Sequence, residues 1–219
     1  MTADDSATVD DFERERDALA DGLAARPNVS ERVADAVRAV PRHEFVPEEH
    51  RSAAYEDRPL PIGADQTVSA PHMVAIMATE LDLRESGRVL EIGTGCGYHA
   101  AVTAEVVGAE QVYSVEYVEE LAERARENLA RAGYGDISVR HGDGREGWPE
   151  HAPYDAAYLT CAAPEFPEAV VEQVWDGGRL VGPIGGASQR LVSAQQTADG
   201  GLVESDEGAV RFVRMQGGE

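Results

Sequence analysis

Apolar and polar positions along the chain alternate between two periods. Val33, Ala36, Val37 and Val40 fall at i, i+3, i+4 and i+7, the apolar face of a helix. Asn28, Ser30 and Glu31 supply its start signals and Pro41 its stop. A more charged helical pattern runs over 11–23. Further helical patterns begin at Ser69 or Pro71 and carry Met73, Ile76, Met77 and Leu81. They recur over 98–107, over 118–132 with Leu121, Ala125 and Leu129, and over 164–174. Between them lie short apolar runs of strand length: 88–92, 111–116, 136–140, 154–160 and 179–182. Two late runs, 191–196 and 209–215, flank Asp199-Gly200-Gly201. Residues 42–65 contain Phe45, Val46, Tyr55 and Leu60, interrupted by Pro47, Pro59, Pro61 and Gly63. They read as an irregular segment with short helical pieces, too apolar for a linker, packed over the main domain.

Strands alternating with helices predict an α/β fold. The expected form is a doubly wound, mostly parallel, seven-stranded Rossmann-like sheet with helices on both faces and an N-terminal helical extension. Its last two strands should form an antiparallel hairpin. Residues 1–10 read as a disordered tail. Residues 11–219 read as one domain, divided into an N-terminal helical and irregular cap (11–85) and a core (86–219). No internal repeat is visible.

Composition narrows the setting. The 219 residues include 41 acids and 19 bases, for a formal net charge of −22. Every base is Arg; the sequence has no Lys. Dispersed acids with Arg and no Lys suggest a halophilic protein kept soluble at high salt; a merely acidic cytosolic enzyme of a GC-rich genome is the alternative. This charge disfavours nucleic acid and anionic membrane surfaces as partners. Two cysteines, Cys96 and Cys161, make no disulfide framework, so a reducing cytoplasm is expected. The acidic start Met1-Thr2-Ala3-Asp4-Asp5 lacks the apolar core of a signal peptide. No apolar run approaches the ~20 residues of a membrane span.

The chemistry centres on Val89-Leu90-Glu91-Ile92-Gly93-Thr94-Gly95-Cys96-Gly97-Tyr98. A strand, a glycine turn and a helix start in this order let backbone N–H groups approach a ligand. Nicotinamide folds prefer G-x-G-x-x-G. Here the pattern is Glu-x-Gly-x-Gly-x-Gly, which points to a nucleoside held over the turn, with S-adenosylmethionine (AdoMet) as the working cofactor. Ligands of open α/β sheets sit beyond the carboxyl ends of the strands. Those ends supply Glu116, able to accept both ribose hydroxyls, and Asp143, able to accept from an adenine amino group. Thr160-Cys161-Ala162-Ala163 supplies small residues that leave room. The expected cofactor set is Gln66, Thr67, Glu91, Gly93, Thr94, Gly95, Gly97, Glu116, Tyr117, Asp143, Gly144 and Thr160. The histidines show no metal-ligand spacing with Cys96 or Cys161, so no metal is expected. Both thiols read as reduced packing residues.

From residue 32 to residue 215 the sequence resembles the protein-L-isoaspartate O-methyltransferases. The resemblance is carried by Val40-Pro41-Arg42-His43-Glu44-Phe45-Val46-Pro47, by 54–63 and by Gln66-Thr67-Val68-Ser69-Ala70-Pro71, the most family-specific piece. It continues through the glycine turn, Gly142-Asp143-Gly144, Ala162-Ala163-Pro164, Gly177-Gly178-Arg179-Leu180-Val181 and Val210-Arg211-Phe212-Val213. It implies methyl transfer from AdoMet to the α-carboxylate of an L-isoaspartyl residue in a damaged protein. The ester then closes to a succinimide that partly reopens as aspartate. It implies Ser69 as the active-site residue, and Ser69, Val210, Arg211 and Phe212 as substrate contacts. Isoaspartyl peptides and proteins are the implied partners, and a monomer the expected state. Family members often have serine where Cys96 stands and glycine where Asp65 stands.

Elementary chemistry agrees with this reaction. A carboxylate is ionised at neutral pH and needs no general base. The remaining work is alignment and exclusion of water. Ser69 fits as a positioning donor; a nucleophilic Ser69 would need His72 oriented by a third group. Three other readings remain open: transfer to another carboxylate or small molecule on the same fold, a catalytically silent AdoMet-binding protein, and an NAD-dependent oxidoreductase.

Overall fold

The computed structural model describes residues 9–218. The tail expected over 1–10 lies outside them for 1–8, whereas Val9 and Asp10 already belong to helix α1 (Val9–Ala24). Helix α2 (Glu31–Ala39) starts as expected, with the Ser30 side chain accepting from the Val33 N–H. Two 3₁₀ turns, Arg42–Glu44 and Glu48–Ala53, supply the short helical pieces of the next segment.

A hairpin follows that the hydrophobic pattern did not reveal. Strands β1 (Leu60–Gly63) and β2 (Gln66–Val68) pair antiparallel. Ala64 and Asp65 form the turn, both at positive φ (50° and 55°). Proline, glycine and the absence of an Asn-Gly signal hid this hairpin from period-2 reading. Its Ile62 carbonyl accepts from Arg124 at 2.7 Å. Helix α3 (Pro71–Glu80) opens on Pro71.

The core alternates β3 (Val89–Ile92), α4 (Tyr98–Val107), β4 (Val112–Glu116), α5 (Glu119–Arg131), β5 (Ser138–His141) and β6 (Tyr154–Leu159). Helix α6 (Glu168–Glu172) is five residues long, where the pattern over 164–174 predicted more. Residues 162 and 163 instead bridge to Arg214 and Ile184, and Pro167 caps the short helix. Strand β7 (Val174–Gly185) takes in Asp176-Gly177-Gly178, which had read as the turn before it. Strands β8 (Gln189–Gln196) and β9 (Leu202–Val210) complete the sheet. The expected last strand over 209–215 is therefore corrected: β9 ends at Val210, and 211–216 leaves the sheet as a strap.

The sheet order is β5-β4-β3-β6-β7-β8-β9. The first five strands are parallel, and β7-β8-β9 are antiparallel at one edge. This is the expected α/β architecture. Successive strand residues feed two hydrophobic clusters, as period-2 alternation requires. Val89, Val112, Ala156 and Tyr158 join residues of α2–α5 and the N-terminal segment. Leu90, Val115, Ala157 and Leu159 join α6 and Phe166. The chain reverses direction across the sheet at β3, opening a crevice beyond its carboxyl end.

Candidate active site

A cleft opens at that crevice. Its floor is the turn after β3. Gly93 has φ 99°, and a Cβ there would lie 2.3 Å from the Thr160 hydroxyl, so only glycine lets β3 and β6 end this close together. Thr160 donates to the carbonyls of Ile92 and Gly93. Glu116, at the end of β4, is buried to 6 % exposure. Its two oxygens accept from the N–H groups of Gly95 (2.8 Å) and Val118 (2.9 Å). It thus pins the glycine turn to β4, and each oxygen keeps a lone pair for a further donor.

Of the expected cofactor residues, Gln66, Thr67, Gly93, Thr94, Gly95, Glu116, Tyr117, Gly144 and Thr160 line this cleft, as does Ser69. Three do not. Gly97 faces Leu129, where a Cβ would come within 3.0 Å. Asp143 turns to Arg145, accepting from its backbone N–H (3.0 Å) and guanidinium (2.6 Å), and the guanidinium holds its carboxyl below the usual range. Glu91 is fully buried below the floor. It lies in register with Ser114 on β4 and Tyr158 on β6, whose hydroxyls donate to its two oxygens. Burial pushes its pKa up to about 8, so it is protonated at neutral pH. Ser114 passes the network on to the Thr94 hydroxyl in the cleft wall.

The expected substrate residues Val210, Arg211 and Phe212 line a neighbouring groove. The strap continues into the cleft itself through Val213, Arg214, Met215 and Gln216. This was not foreseen. The strap is held by long-range bonds: Gln189 clamps both backbone groups of Phe212, and Ala162 pairs with Val213 and Met215.

Two more features escaped the sequence. Arg42 is fully buried, with its guanidinium donating to the carbonyls of Ala54, Arg58 (3.2 Å) and Ser69 (3.1 Å) and stacked over Tyr98. Arginine is rarely buried, so a residue scan passes over it. Asp57 accepts from Arg26 and from both the backbone and Nδ1 of His72. His72 is therefore oriented by a carboxylate. Among the described residues, however, the Ser69 hydroxyl has no hydrogen-bond partner. The contact that would make Ser69 a nucleophile is missing.

The other polar groups of the cleft are chemically quiet. Burial pushes His99 down to about 3, leaving it neutral, and raises the thiols of Cys96 and Cys161 to about 11 and about 12. Among the described residues no group of three or more His, Cys, Asp or Glu could hold a metal ion. No described helix is long and apolar enough to cross a membrane. The residues do fit AdoMet: a glycine cradle that a Cβ would fill, and a buried carboxylate with free lone pairs for ribose hydroxyls.

Comparison with known proteins agrees. The family model described as protein-L-isoaspartate(D-aspartate) O-methyltransferase matches residues 14–219. Protein-L-isoaspartate O-methyltransferase 2 of Archaeoglobus fulgidus is 50 % identical over 208 residues, covering 94 % of this chain and 95 % of that one. The Methanothrix thermoacetophila enzyme is 56 % identical over 80 % of this chain and 83 % of its own. A solved protein-L-isoaspartate O-methyltransferase superposes with a TM-score of 0.86 at 34 % identity, over 92 % of this chain and 66 % of that one. A Plasmodium falciparum structure, titled as a putative member in complex with S-adenosyl-L-homocysteine, shares the fold with a TM-score of 0.79 at 24 % identity, over 92 % of this chain and 98 % of that one. The chain belongs to the protein-L-isoaspartate(D-aspartate) O-methyltransferase family and is an AdoMet-dependent methyltransferase.

Proposed function

We propose that this cleft carries methyl transfer from AdoMet to the α-carboxylate of L-isoaspartyl residues in damaged proteins, with Ser69 as the positioning donor. The observation that carries this reading is the free Ser69 hydroxyl, set in the same cleft as the glycine turn and Glu116. When bound, AdoMet supplies an activated methyl group on a sulfonium leaving group. Glu116 takes the ribose hydroxyls, while Gly93, Thr94 and Gly95 give the turn its close approach. Gln66, Thr67, Tyr117, Gly144 and Thr160 complete the cofactor walls. Asp143, its carboxylate held by Arg145, acts from outside the cleft by positioning Gly144, and Glu91 and Gly97 act from below, by shaping the turn. Ser69 donates to one oxygen of the incoming carboxylate and leaves the other to attack. No base is required, because the nucleophile arrives ionised. Arg42 fixes the Ser69 backbone, and the hairpin and strap screen the site from water.

The division into a cap (11–85) and a core (86–219) belongs to this reading: the cap brings Gln66 to Ser69 over the glycine turn. So do a monomer, a cytoplasmic setting drawn from the two unpaired cysteines, adaptation to high salt drawn from dispersed acids with no Lys, and the absence of nucleic-acid or membrane partners drawn from the charge of −22. Stability that rises from low to molar KCl supports the salt reading, and a flat response contradicts it.

Ser69→Ala tests the central assignment. We expect turnover to fall about 10- to 100-fold, the scale of losing a charge-assisted positioning bond, with AdoMet affinity nearly unchanged. A collapse of AdoMet affinity would make Ser69 a cofactor residue.

A further inference from the structure

The strap along the cleft carries two arginines: Arg211, expected as a substrate contact, and Arg214, which the sequence left without a role. Arg211 and Arg214 are exposed, and neither has a hydrogen-bond or ion-pair partner among the described residues. In a chain with 41 acids and 19 bases, such freedom at two positions of one short strap needs a reason. Arg190, one strand away, is already committed to Asp206.

Their setting is a groove lined by residues 186–189, 209–212 and Arg214, without a single Asp or Glu. Arg214 lines both this groove and the transfer cleft, so the two spaces adjoin at its side chain. The strap is also held in place. The Gln189 amide accepts from the Phe212 N–H at 2.6 Å and donates to its carbonyl at 3.1 Å. Val213 and Met215 pack into the core and pair with Ala162. Alternation along an extended chain then turns Arg214 away from the core.

We propose that Arg214, assisted by Arg211, forms a subsite for an acidic side chain of the substrate peptide next to the isoaspartyl residue. The inference rests on the reading of the cleft as the transfer site. The occupant is an aspartate or glutamate side chain, because two unpaired guanidinium groups in an acid-free groove match a carboxylate. The subsite has a clear physical use. Every substrate of this reaction is an anion at the reacting group, and it approaches a protein of net charge −22. Local cations at the mouth of the cleft offset that repulsion at low ionic strength, and by direct contact they favour acidic segments over basic ones.

The test uses the full chain and three isoaspartyl peptides of equal length, flanked by Glu, Gln or Arg. Wild-type kcat/KM should rank Glu above Gln above Arg, with about fivefold per step, the upper range for exposed ion pairs. Arg214→Glu should invert the ranking, and Arg211→Gln should compress it. Molar KCl should also compress the wild-type ranking, because its Debye length of ~3 Å screens all but contact pairs. Equal wild-type rates on all three peptides would overturn the proposal without any variant. So would an Arg214→Glu enzyme that loses activity equally on all three, since the guanidinium would then serve the isoaspartyl group or the fold. If the wild-type enzyme methylates none of the peptides, the reading of the cleft fails, which is a separate outcome.

Discussion

Glu91 should make the stability of this enzyme fall with pH in a way that one substitution removes. Its carboxyl is fully buried beneath the glycine turn, with pKa raised from 4.5 to about 8. Desolvation is the main cause, opposed by hydrogen bonds from Ser114 and Tyr158 and supported by the nearby Glu116 charge. A carboxyl whose folded pKa is raised keeps its full stabilising contribution below the unfolded pKa, near 4.5. It loses that contribution as pH rises towards 8, because the folded state must hold a proton that the unfolded state releases. At about 1.4 kcal/mol per pH unit, the loss at pH 7 is roughly 3 kcal/mol. Glu91→Gln keeps the size and polarity without the titration, at a cost of about 1 kcal/mol from the altered hydrogen bonds. Urea unfolding of both proteins from pH 5 to pH 9 measures the difference. Near pH 5 the variant should be equal or slightly less stable. Towards pH 8 it should gain steadily and become the more stable protein by a few kcal/mol, a Tm advantage of several degrees at about 2–4 °C per kcal/mol. Other carboxylates titrate in both proteins and cancel. Parallel stability curves across the range would refute the assignment of a protonated, buried Glu91.

Two further substitutions probe the cleft. Glu116→Ala should weaken AdoMet binding by ~1–3 kcal/mol in calorimetry; unchanged affinity would place the ribose elsewhere. Asp65→Gly should raise stability by ~1 kcal/mol, because Asp65 sits at φ 55° in the hairpin turn where glycine is at ease. A lower melting temperature for that variant would contradict the strain.

Much of the fold was legible because local signals and burial agree. Ser30 caps α2 in the structure as in the sequence, and the glycine turn sits between β3 and α4 where the change of period placed it. Legibility failed where distant residues decide the backbone. The hairpin 60–68 turns on Ala64 and Asp65, which carry no glycine signal for positive φ. Gly177 and Gly178 read as a turn; they lie within β7, in the stretch between Val174 and Arg179 where the register with β6 shifts and before the first residue paired with β8. The strap after Val210 is apolar enough for a strand, but Gln189 and Ala162 pull it off the sheet and across the cleft.

The site divides in the same way. Glu116 and Glu91 both look like acids at strand ends. The strand register sends Glu91 into the layer of Ser114 and Tyr158, while Glu116 reaches the turn. A sequence without register cannot separate them. Ser69 was found through its motif, whereas Arg42, which holds the Ser69 carbonyl, stood in another motif with no visible link to it.

The enzyme's activity is one reaction at one kind of residue. The direct measurement incubates the enzyme and AdoMet with an isoaspartyl peptide or its aspartyl twin and follows methanol release from the unstable ester. Release from the isoaspartyl peptide alone is the expected result. Equal release from both peptides, or none from either, would contradict it.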